Sequence, residues 1–259
     1  MEEKTSRGLF DLHGEIALVT GSSRGLGFTI ARGLCRAGAT LVLNGRDGER
    51  LEAASRTLEA EGLRVHAYPF DVTRKEEIAS SVERIERSVG PISILVNNAG
   101  INKRGKLEEL DESVWHEVLE TNLTSAFLVA QQVGRRMIER RRGKIVNICS
   151  LLSELGRATT APYTASKGGL KMLTRTMATE WARHNIQVNG IGPGYFITDL
   201  TRVLADNKEF DAWIKGRTPA ARWGDPEELV GAAVFLSSRA SDFVNGQIIY
   251  VDGGILASL

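Results

Sequence analysis

The feature that most constrains the fold is an alternation of short apolar runs with longer segments of helical period, which continues along nearly all 259 residues. It begins with an apolar run over 16–20, a helix over 25–37, a second run over 40–43 and a charged helix over 48–60. Strands that are apolar on both faces and separated by helices are typical of a parallel sheet covered on both sides. The sequence therefore predicts an α/β fold.

Further apolar runs extend this pattern to the C-terminus. They predict strands at 65–70, 92–96, 144–148, 187–191 and 248–251. No Pro/Ser-rich linker or repeat divides the chain, so we expect one domain over 1–259, a Rossmann-like doubly wound parallel sheet with helices on both faces. Two helix starts are predicted from capping patterns, at Asp225-Pro226-Glu227-Glu228 and at Thr73-Arg74-Lys75-Glu76.

Composition narrows the classes of function. A formal net charge of +1 gives no electrostatic reason to expect nucleic acid, and no apolar run is long enough to cross a membrane. Residues 1–6 lack the apolar core of a signal peptide. The two cysteines, Cys35 and Cys149, make no disulfide framework, so a cytoplasmic location is expected. The four histidines lack metal-ligand spacing, and no metal site is expected.

A glycine-rich loop joins the first strand to its helix, with the sequence TGSSRGLG over 20–27. Glycines at this point let the backbone turn tightly and approach a pyrophosphate, which then lies at the positive N-terminus of the helix. The spacing is a variant of the usual dinucleotide fingerprint, and no Walker Gly-Lys-Ser/Thr follows. The loop predicts a dinucleotide site; a tight turn without a ligand is the alternative.

The end of the second strand bears on which dinucleotide is bound. Sites for NAD commonly place an acid there, to accept a hydrogen bond from the ribose 2′-hydroxyl. Here the strand ends Leu43-Asn44-Gly45-Arg46, with a base in place of the acid. Because guanidinium groups suit a phosphate, Arg46 and Arg24 favour NADP(H) over NAD(H). The alternative is that both arginines are solvated surface groups.

Tyr163 and Lys167 stand four residues apart, so on a helix both side chains can point into one cleft. A phenol is a weak acid, and a nearby ammonium favours its ionised form, which suits general acid–base catalysis. The pair alone is a weak signal because both residue types are common on helix surfaces. It gains meaning beside a nicotinamide site.

Six motifs stand in order along the chain: the glycine loop, NNAG over 97–100, Asn122, Ser150, Tyr163 and Lys167. In their order and spacing the chain resembles the short-chain dehydrogenase/reductase family over essentially its whole length. The resemblance implies that Tyr163 is the acid/base on the substrate oxygen and that Lys167 assists it and binds the nicotinamide ribose. It further implies that Ser150 donates to the carbonyl oxygen and that Asn122 holds a water for proton relay.

The expected cofactor contacts lie along one edge of the sheet. In the glycine loop and after the second strand they are Gly21, Ser23, Arg24, Gly25, Leu26, Gly27 and Arg46. By resemblance, Asp71 and Val72 meet the adenine, while Asn98, Ala99 and Gly100 pass beside the adenine ribose. Pro193, Gly194, Ile197 and Thr198 border the nicotinamide, which Tyr163 and Lys167 also contact.

Segments at 147–150, 153–157, 190–195, 218–226 and 251–257 resemble the gluconate 5-dehydrogenase branch of that family. That resemblance implies a small-molecule sugar-acid substrate, with D-gluconate and 5-keto-D-gluconate interconverted by hydride transfer. A carboxylate needs a cation, for which Arg104 is the first candidate. Ser150 and Tyr163 meet the reacting oxygen, and Tyr195 begins a substrate lid over 195–217. In the loop after Ser150, Arg157 and Glu154 are expected to contact the carboxylate and the hydroxyls; a solvated loop arginine and an internal salt bridge are the alternatives.

Two features have simpler explanations than catalysis. Cys149 precedes Ser150 on a strand, so it faces the core if Ser150 faces the cleft. The basic residues at 135–136 and 140–142 fit a solvated helix end.

The apolar face of the 112–137 helix (Trp115, Leu119, Phe127, Val133) is larger than one chain needs to cover its sheet, and family members pair this helix with its copy in another subunit. A homodimer or a homotetramer, the latter a dimer of dimers, is expected; a buried single-chain core is the alternative.

Two other functions compete with the sugar-acid oxidoreductase. One is a 3-oxoacyl-thioester reductase, or another ketone reductase of the same family, which would use an apolar channel in place of a carboxylate-binding arginine. The other is a nucleotide-sensing protein without catalysis. The complete set of Asn122, Ser150, Tyr163 and Lys167 argues against the second, because a pure binder does not need all four.

Overall fold

Seven parallel strands form a single sheet in the order β3-β2-β1-β4-β5-β6-β7. The computed structural model describes residues 8–258, except for the side chains at 199 and 200. The strands are β1 (Ile16–Val19), β2 (Thr40–Gly45), β3 (Val65–Pro69), β4 (Ile94–Asn97), β5 (Gly143–Ile148), β6 (Ile186–Pro193) and β7 (Ile248–Val251). Helices cover both faces, which confirms the predicted doubly wound α/β fold. Residues 1–6, whose composition bears on targeting, lie outside the described part.

The sheet is buried on both sides, as its apolar runs predict. Along β1, Ala17 and Val19 belong to one core cluster, and Leu18, which points to the opposite face, belongs to the other. Ile30 of the first helix packs in the former cluster, and Val129 of the fifth helix packs in the latter. Two hydrophobic layers therefore hold the central strands, and their carboxyl ends remain free to form a site.

The helices follow the predicted positions with small shifts at their ends. They are α1 (Gly25–Arg36), α2 (Gly48–Ala60), α3 (Lys75–Ser88), α4 (Glu112–Leu119), α5 (Ser125–Arg140), α6 (Ala161–Trp181), α7 (Asp199–Ala205), α8 (Lys208–Arg217) and α9 (Val230–Ser237). The segment over 112–137, predicted as one helix, contains a π-helical turn at Glu120–Thr124 between α4 and α5. The lid segment, defined as residues 195–217, contains two helices.

One of the two predicted helix caps is wrong. Thr73 does not cap α3, whose N-cap position is Arg74, because the Thr73 hydroxyl donates to the Asp71 carboxylate at 2.8 Å. The cap at Asp225 is confirmed: its side chain accepts from the Glu227 amide, and the Glu228 carboxylate accepts from the Asp225 amide. The turn that follows is 3-10 at Pro226–Leu229 and leads into α9.

Candidate active site

The glycine loop lies at the carboxyl end of β1, where parallel sheets bind their ligands. Gly21 has φ +61°, and a Cβ there would lie 2.8 Å from the Ala99 Cα, so only glycine fits. Gly25 also has a positive φ, of +59°, with open space where a side chain would be. A Cβ at Gly27 would collide with the Asn98 amide. The glycines therefore let the backbone turn tightly into the start of α1, the helix end to which a phosphate is expected to bind.

Polar side chains hold this loop in place. The Asn98 amide group donates to the carbonyl oxygens of Thr20 and Gly21, each at 2.9 Å. The Thr20 hydroxyl accepts from the backbone amides of Asn98 and Ala99. The Asn98 side-chain amide thus supports the glycine loop. The sequence signals for this support were the Thr20-Gly21 pair after the first strand and Asn98 after the fourth strand.

Asn44 is a second support of the loop, a role that was not predicted from the sequence. It is 1% exposed, and its Oδ1 accepts from the Gly21 amide at 3.3 Å. Its Nδ2 donates to the Phe70 carbonyl at 3.0 Å, and its backbone amide donates to the Ser22 hydroxyl at 3.0 Å. Asn44 therefore ties the glycine loop to the ends of β2 and β3. A polar residue within an otherwise apolar strand was the signal for it.

The two basic residues predicted for NADP are exposed beside this loop. The Arg46 side chain is 69% exposed, with its Nη1 4.0 Å from Asp71 Oδ2. Arg24 stands at the N-cap position of α1 and is also exposed. Asp71 Oδ1 accepts from the Thr73 amide at 2.9 Å, and Val72 is buried beside it. Both guanidinium groups carry the charge that a 2′-phosphate requires, so the chemistry of Arg24 and Arg46 fits the predicted cofactor.

Tyr163 and Lys167 share one face of α6, as their spacing predicts. The Lys167 ammonium lies 5.6 Å from the centre of the Tyr163 ring and donates to the Ile148 carbonyl at 2.6 Å. Lys167 is only 4% exposed, while Tyr163 is half-buried. Because it is held by a backbone carbonyl, the cation stays next to the phenol.

Ser150 follows β5 and begins a 3-10 turn at Leu151–Ser153. Its hydroxyl accepts from the Leu152 amide at 3.1 Å, and its own amide donates to the Ser153 hydroxyl. The Ser153 hydroxyl in turn donates to the Lys167 carbonyl at 2.9 Å. The turn of the predicted catalytic serine is thus fastened to the helix that carries Tyr163.

Asn122 lies in the π-helical turn between α4 and α5, and it is 1% exposed. Its side chain accepts from the Ile101 amide at 2.7 Å and donates to the Ile101 carbonyl at 2.9 Å. It also donates to the Ser166 hydroxyl, which donates to the Tyr163 carbonyl. Such turns are frequent at functional sites. Asn122 therefore joins the NNAG segment to the helix of the Tyr163/Lys167 pair.

Arg104 projects from the segment after NNAG towards the loop before α6. Its Nε and Nη2 both donate to the Thr159 hydroxyl, at 3.1 and 2.9 Å. Thr159 has φ +69°, and its carbonyl accepts from the Gly105 amide at 3.1 Å. Arg104 thus lies on an exposed wall beside α6, with donors left for an anion.

The Glu154 carboxylate is bound to other side chains of the protein, so it is not free for a substrate. Its carboxylate accepts from Lys171 at 2.6 Å and from the Tyr250 hydroxyl at 2.7 Å. The Lys171 ammonium, and then Tyr250, hold the pKa of Glu154 below its usual range. Burial raises the pKa of Tyr250, with Glu154 adding to the effect. Any contact of Glu154 with a substrate hydroxyl would have to share these partners.

Cys149 is buried as predicted from strand alternation. It is 2% exposed and packs with Ala126 and Leu170. Burial raises the pKa of its thiol to about 11, which leaves the sulfur protonated and unreactive.

Among the basic residues at 135–136 and 140–142, Arg140 lies at the exposed end of α5, where its guanidinium pairs with the Glu86 carboxylate at 2.6 Å.

The lid segment begins after β6. Gly194 lies against Asp252, where a Cβ would be 2.7 Å from the Asp252 Cα. Thr198 caps α7 by accepting from the Thr201 amide at 3.3 Å, and the Ile197 amide donates to Gly224. Tyr195 accepts a 2.9 Å hydrogen bond from Arg157. Pro193, Gly194, Ile197 and Thr198 thus lie at the carboxyl end of β6, the edge predicted to face the nicotinamide.

Among the side chains that the structure describes (8–198 and 201–258), no group of three or more His, Cys, Asp or Glu residues could hold a metal ion. Within the same range, no helix has the length and apolar character needed to span a bilayer.

A family model described as enoyl-(acyl carrier protein) reductase matches residues 21–256. Gluconate 5-dehydrogenase of Gluconobacter oxydans is 57% identical over 251 residues, covering 97% of this chain and 98% of that protein. The chain belongs to the short-chain dehydrogenase/reductase family. The 5-keto-D-gluconate 5-reductase of Escherichia coli K12 is 55% identical over 251 residues, covering 97% of this chain and 99% of the relative.

A solved relative adds the cofactor. The crystal structure of a gluconate 5-dehydrogenase from Burkholderia cenocepacia, in complex with NADP and tartrate, has a TM-score of 0.94 and 49% identity. It covers 97% of this chain and 98% of that chain. The family, the fold and the oxidoreductase class predicted from the motifs are therefore confirmed, and the NADP-bound relative supports the preference for NADP(H).

Proposed function

We propose that this chain is an NADP-dependent oxidoreductase that interconverts D-gluconate and 5-keto-D-gluconate, or a closely related sugar acid. The observation that carries the proposal is the placement of the Lys167 ammonium 5.6 Å from the Tyr163 ring, beside the Ser150 turn. The high identity to a gluconate 5-dehydrogenase and to a 5-keto-D-gluconate 5-reductase supports the substrate class.

The chemistry divides between the cofactor and the protein. When bound, NADPH supplies the hydride that reaches the carbonyl carbon, and NADP⁺ accepts it in the reverse direction. Tyr163 gives its phenolic proton to the carbonyl oxygen during reduction and takes it back during oxidation. Ser150 donates a hydrogen bond to the same oxygen as negative charge develops there. Lys167 stabilises the tyrosinate that results, because its ammonium is held close by the Ile148 carbonyl.

Asn122 serves the proton supply in this proposal. Both of its amide protons and its carbonyl oxygen are engaged, with Ile101 and Ser166. That arrangement holds the π-helical turn in one conformation beside α6, where a water held by this turn would connect Lys167 with solvent. The proposed role of Asn122 is thus to position the relay, while Tyr163 performs the transfer.

The assay follows NADPH absorbance in parallel with 5-keto-D-gluconate, an acetoacetyl thioester and a simple uncharged diketone. We expect the highest kcat/KM with 5-keto-D-gluconate. A preference for the thioester would replace the proposal with the oxoacyl reductase. Absence of turnover with all three would favour a nucleotide-binding protein without catalysis. Tyr163→Phe should lower kcat by about 10²- to 10⁴-fold and leave NADPH affinity within twofold.

Arg104 is proposed to bind the substrate carboxylate. Loss of a charge-assisted hydrogen bond should raise KM for 5-keto-D-gluconate by about 10- to 100-fold in Arg104→Ala, with little change for the uncharged diketone. Lys106→Ala is a matched control, because that nearby ammonium pairs with Glu109 at 2.9 Å. Equal effects on both substrates would remove the carboxylate role.

We further propose a dimer of dimers. Of the four apolar residues cited for this assembly, Val133 is fully buried in the core of its own chain, and Phe127 is 41% exposed on α5. Met172 on α6 adds a second exposed apolar side chain, at 54%. Sedimentation equilibrium measures the assembly, and a monomer would contradict the proposed dimer of dimers.

A cytoplasmic location is proposed from the two cysteines, which are both free and buried.

A further inference from the structure

Arg157 is surrounded by aromatic rings of the lid segment. Its guanidinium carbon lies 4.9 Å from the centre of the Phe210 ring, 5.2 Å from that of Trp213 and 5.9 Å from that of Tyr195. It also donates to the Tyr195 hydroxyl at 2.9 Å. Among the carboxylates whose side chains the structure describes (8–198 and 201–258), none forms an ion pair with it. The charge is therefore balanced by ring faces, which attract a guanidinium.

The rings form a defined cluster. Phe210 and Trp213, both on α8, have centres 5.6 Å apart and planes inclined at 25°. Tyr195 meets both rings edge-on, at 6.2 and 6.1 Å. Trp223 closes the cluster 6.0 Å from Tyr195, and its indole donates to Asp211 of α8. Arg157 thus contacts α8 through two rings that this cluster holds in place.

At its other end, Arg157 belongs to the loop that joins the two catalytic segments. This loop runs from the Ser150 turn to the start of α6. The Arg157 carbonyl accepts from the Thr160 hydroxyl at 2.8 Å, and Thr160 is the buried N-cap residue of the helix that carries Tyr163. Arg157 therefore connects α8 to the loop that lies between Ser150 and Tyr163.

We infer that Arg157 is a positioning residue that fastens the lid segment to the catalytic loop, and that it does not bind the substrate carboxylate. With the guanidinium in the ring cluster, α8 is held against the loop that carries Arg157; without it, α8 separates from that loop. Only the kinetic readout of this inference rests on the proposed function. Hydrogen–deuterium exchange of α8 in the full chain, without substrate, measures the fastening by itself.

Arg157→Gln and Phe210→Leu should each accelerate exchange in 208–217 by about 3- to 30-fold, and the double variant should add little. Arg157→Lys should restore little, because an ammonium lacks the planar group that stacks on rings. Arg84→Gln is the control: that guanidinium lies 5.9 Å from the Tyr68 ring, away from the lid, and α8 should exchange at the original rate. Unchanged exchange in Arg157→Gln would overturn the inference.

Kinetics distinguish fastening from direct binding. Arg157→Gln should lower kcat/KM by the same factor for 5-keto-D-gluconate and for an uncharged diketone. A loss confined to the sugar acid would show a carboxylate contact and overturn the inference. If the unmutated protein reduces neither ketone, the proposed function fails, and the exchange of α8 still decides whether Arg157 fastens the lid.

Discussion

The proposed cofactor side and the proposed substrate side of the cleft are stabilised in different ways. The glycine loop is held by hydrogen bonds between backbone atoms and the side chains of Thr20, Asn44 and Asn98, of which Thr20 and Asn44 accept and Asn98 donates. The substrate side is held by side chains from separate segments, such as Arg104 on Thr159 and Arg157 on the rings of α8. The first arrangement depends on glycine geometry, and the second on particular pairs of side chains.

This difference has a consequence for specificity. A backbone loop that requires glycine at Gly21 tolerates few changes, since any side chain there would strike Ala99. Contacts between side chains can be exchanged one pair at a time without moving the sheet. The same scaffold can therefore keep one cofactor while its substrate range changes, which is how function is distributed on shared folds.

The largest effect is expected at the glycine loop. Gly21→Ala combines a positive φ of +61° with a Cβ 2.8 Å from the Ala99 Cα, so the loop must move. We expect NADPH affinity to fall by more than about 100-fold, because misplaced amides lose several charge-assisted hydrogen bonds at once. Fluorescence titration with NADPH measures the dissociation constant.

Gly62→Ala is the matched control for backbone strain alone. Gly62 has φ +78° with open space where a Cβ would lie, and it is far from the loop in sequence. The substitution should lower the free energy of unfolding by about 1–2 kcal/mol and leave the affinity for NADPH unchanged. If Gly21→Ala behaves in the same way as this control, the backbone of the loop is not what binds the cofactor.

A smaller effect is expected for the choice of cofactor. Arg46→Ala should raise KM for NADPH by about 10- to 100-fold and leave KM for NADH nearly constant, because only NADPH carries the 2′-phosphate. Arg50→Ala, which removes an exposed guanidinium paired with Asp47 at 3.4 Å, is the control on the adjacent helix. Equal losses with both cofactors would mean that Arg46 acts on the fold.

What could be predicted from sequence follows the same division. The sheet and the Tyr163/Lys167 pair were predictable because their signals are local: apolar runs, and an i,i+4 spacing on α6. The π-helical turn at Asn122 was not, because it replaces part of a segment with uninterrupted helical period. The ring cluster around Arg157 was also missed, since Phe210 and Trp213 lie far from it in sequence.

The smallest effect is expected on the substrate side, at Glu154. The Lys171 ammonium holds the pKa of Glu154 below its usual range, so its ion pair is complete above the ordinary carboxyl pKa of about 4.3. That contribution is lost as pH falls through the lowered value in the folded protein. Glu154→Gln should lower the stability by about 0.5–1 kcal/mol at pH 7, and the deficit should shrink towards pH 3.

Urea unfolding across that pH range measures the deficit. Because Glu154 lies directly after the Ser150 turn, kcat should also fall, but only a few-fold. Glu109→Gln is the control, since its pair with Lys106 is more than half exposed and should contribute little. A different outcome would reassign the residue: unchanged stability with a higher KM for 5-keto-D-gluconate alone would mean that Glu154 contacts the substrate hydroxyls. The substrate side would then be built from groups that exchange partners on binding, in contrast to the fixed loop on the cofactor side.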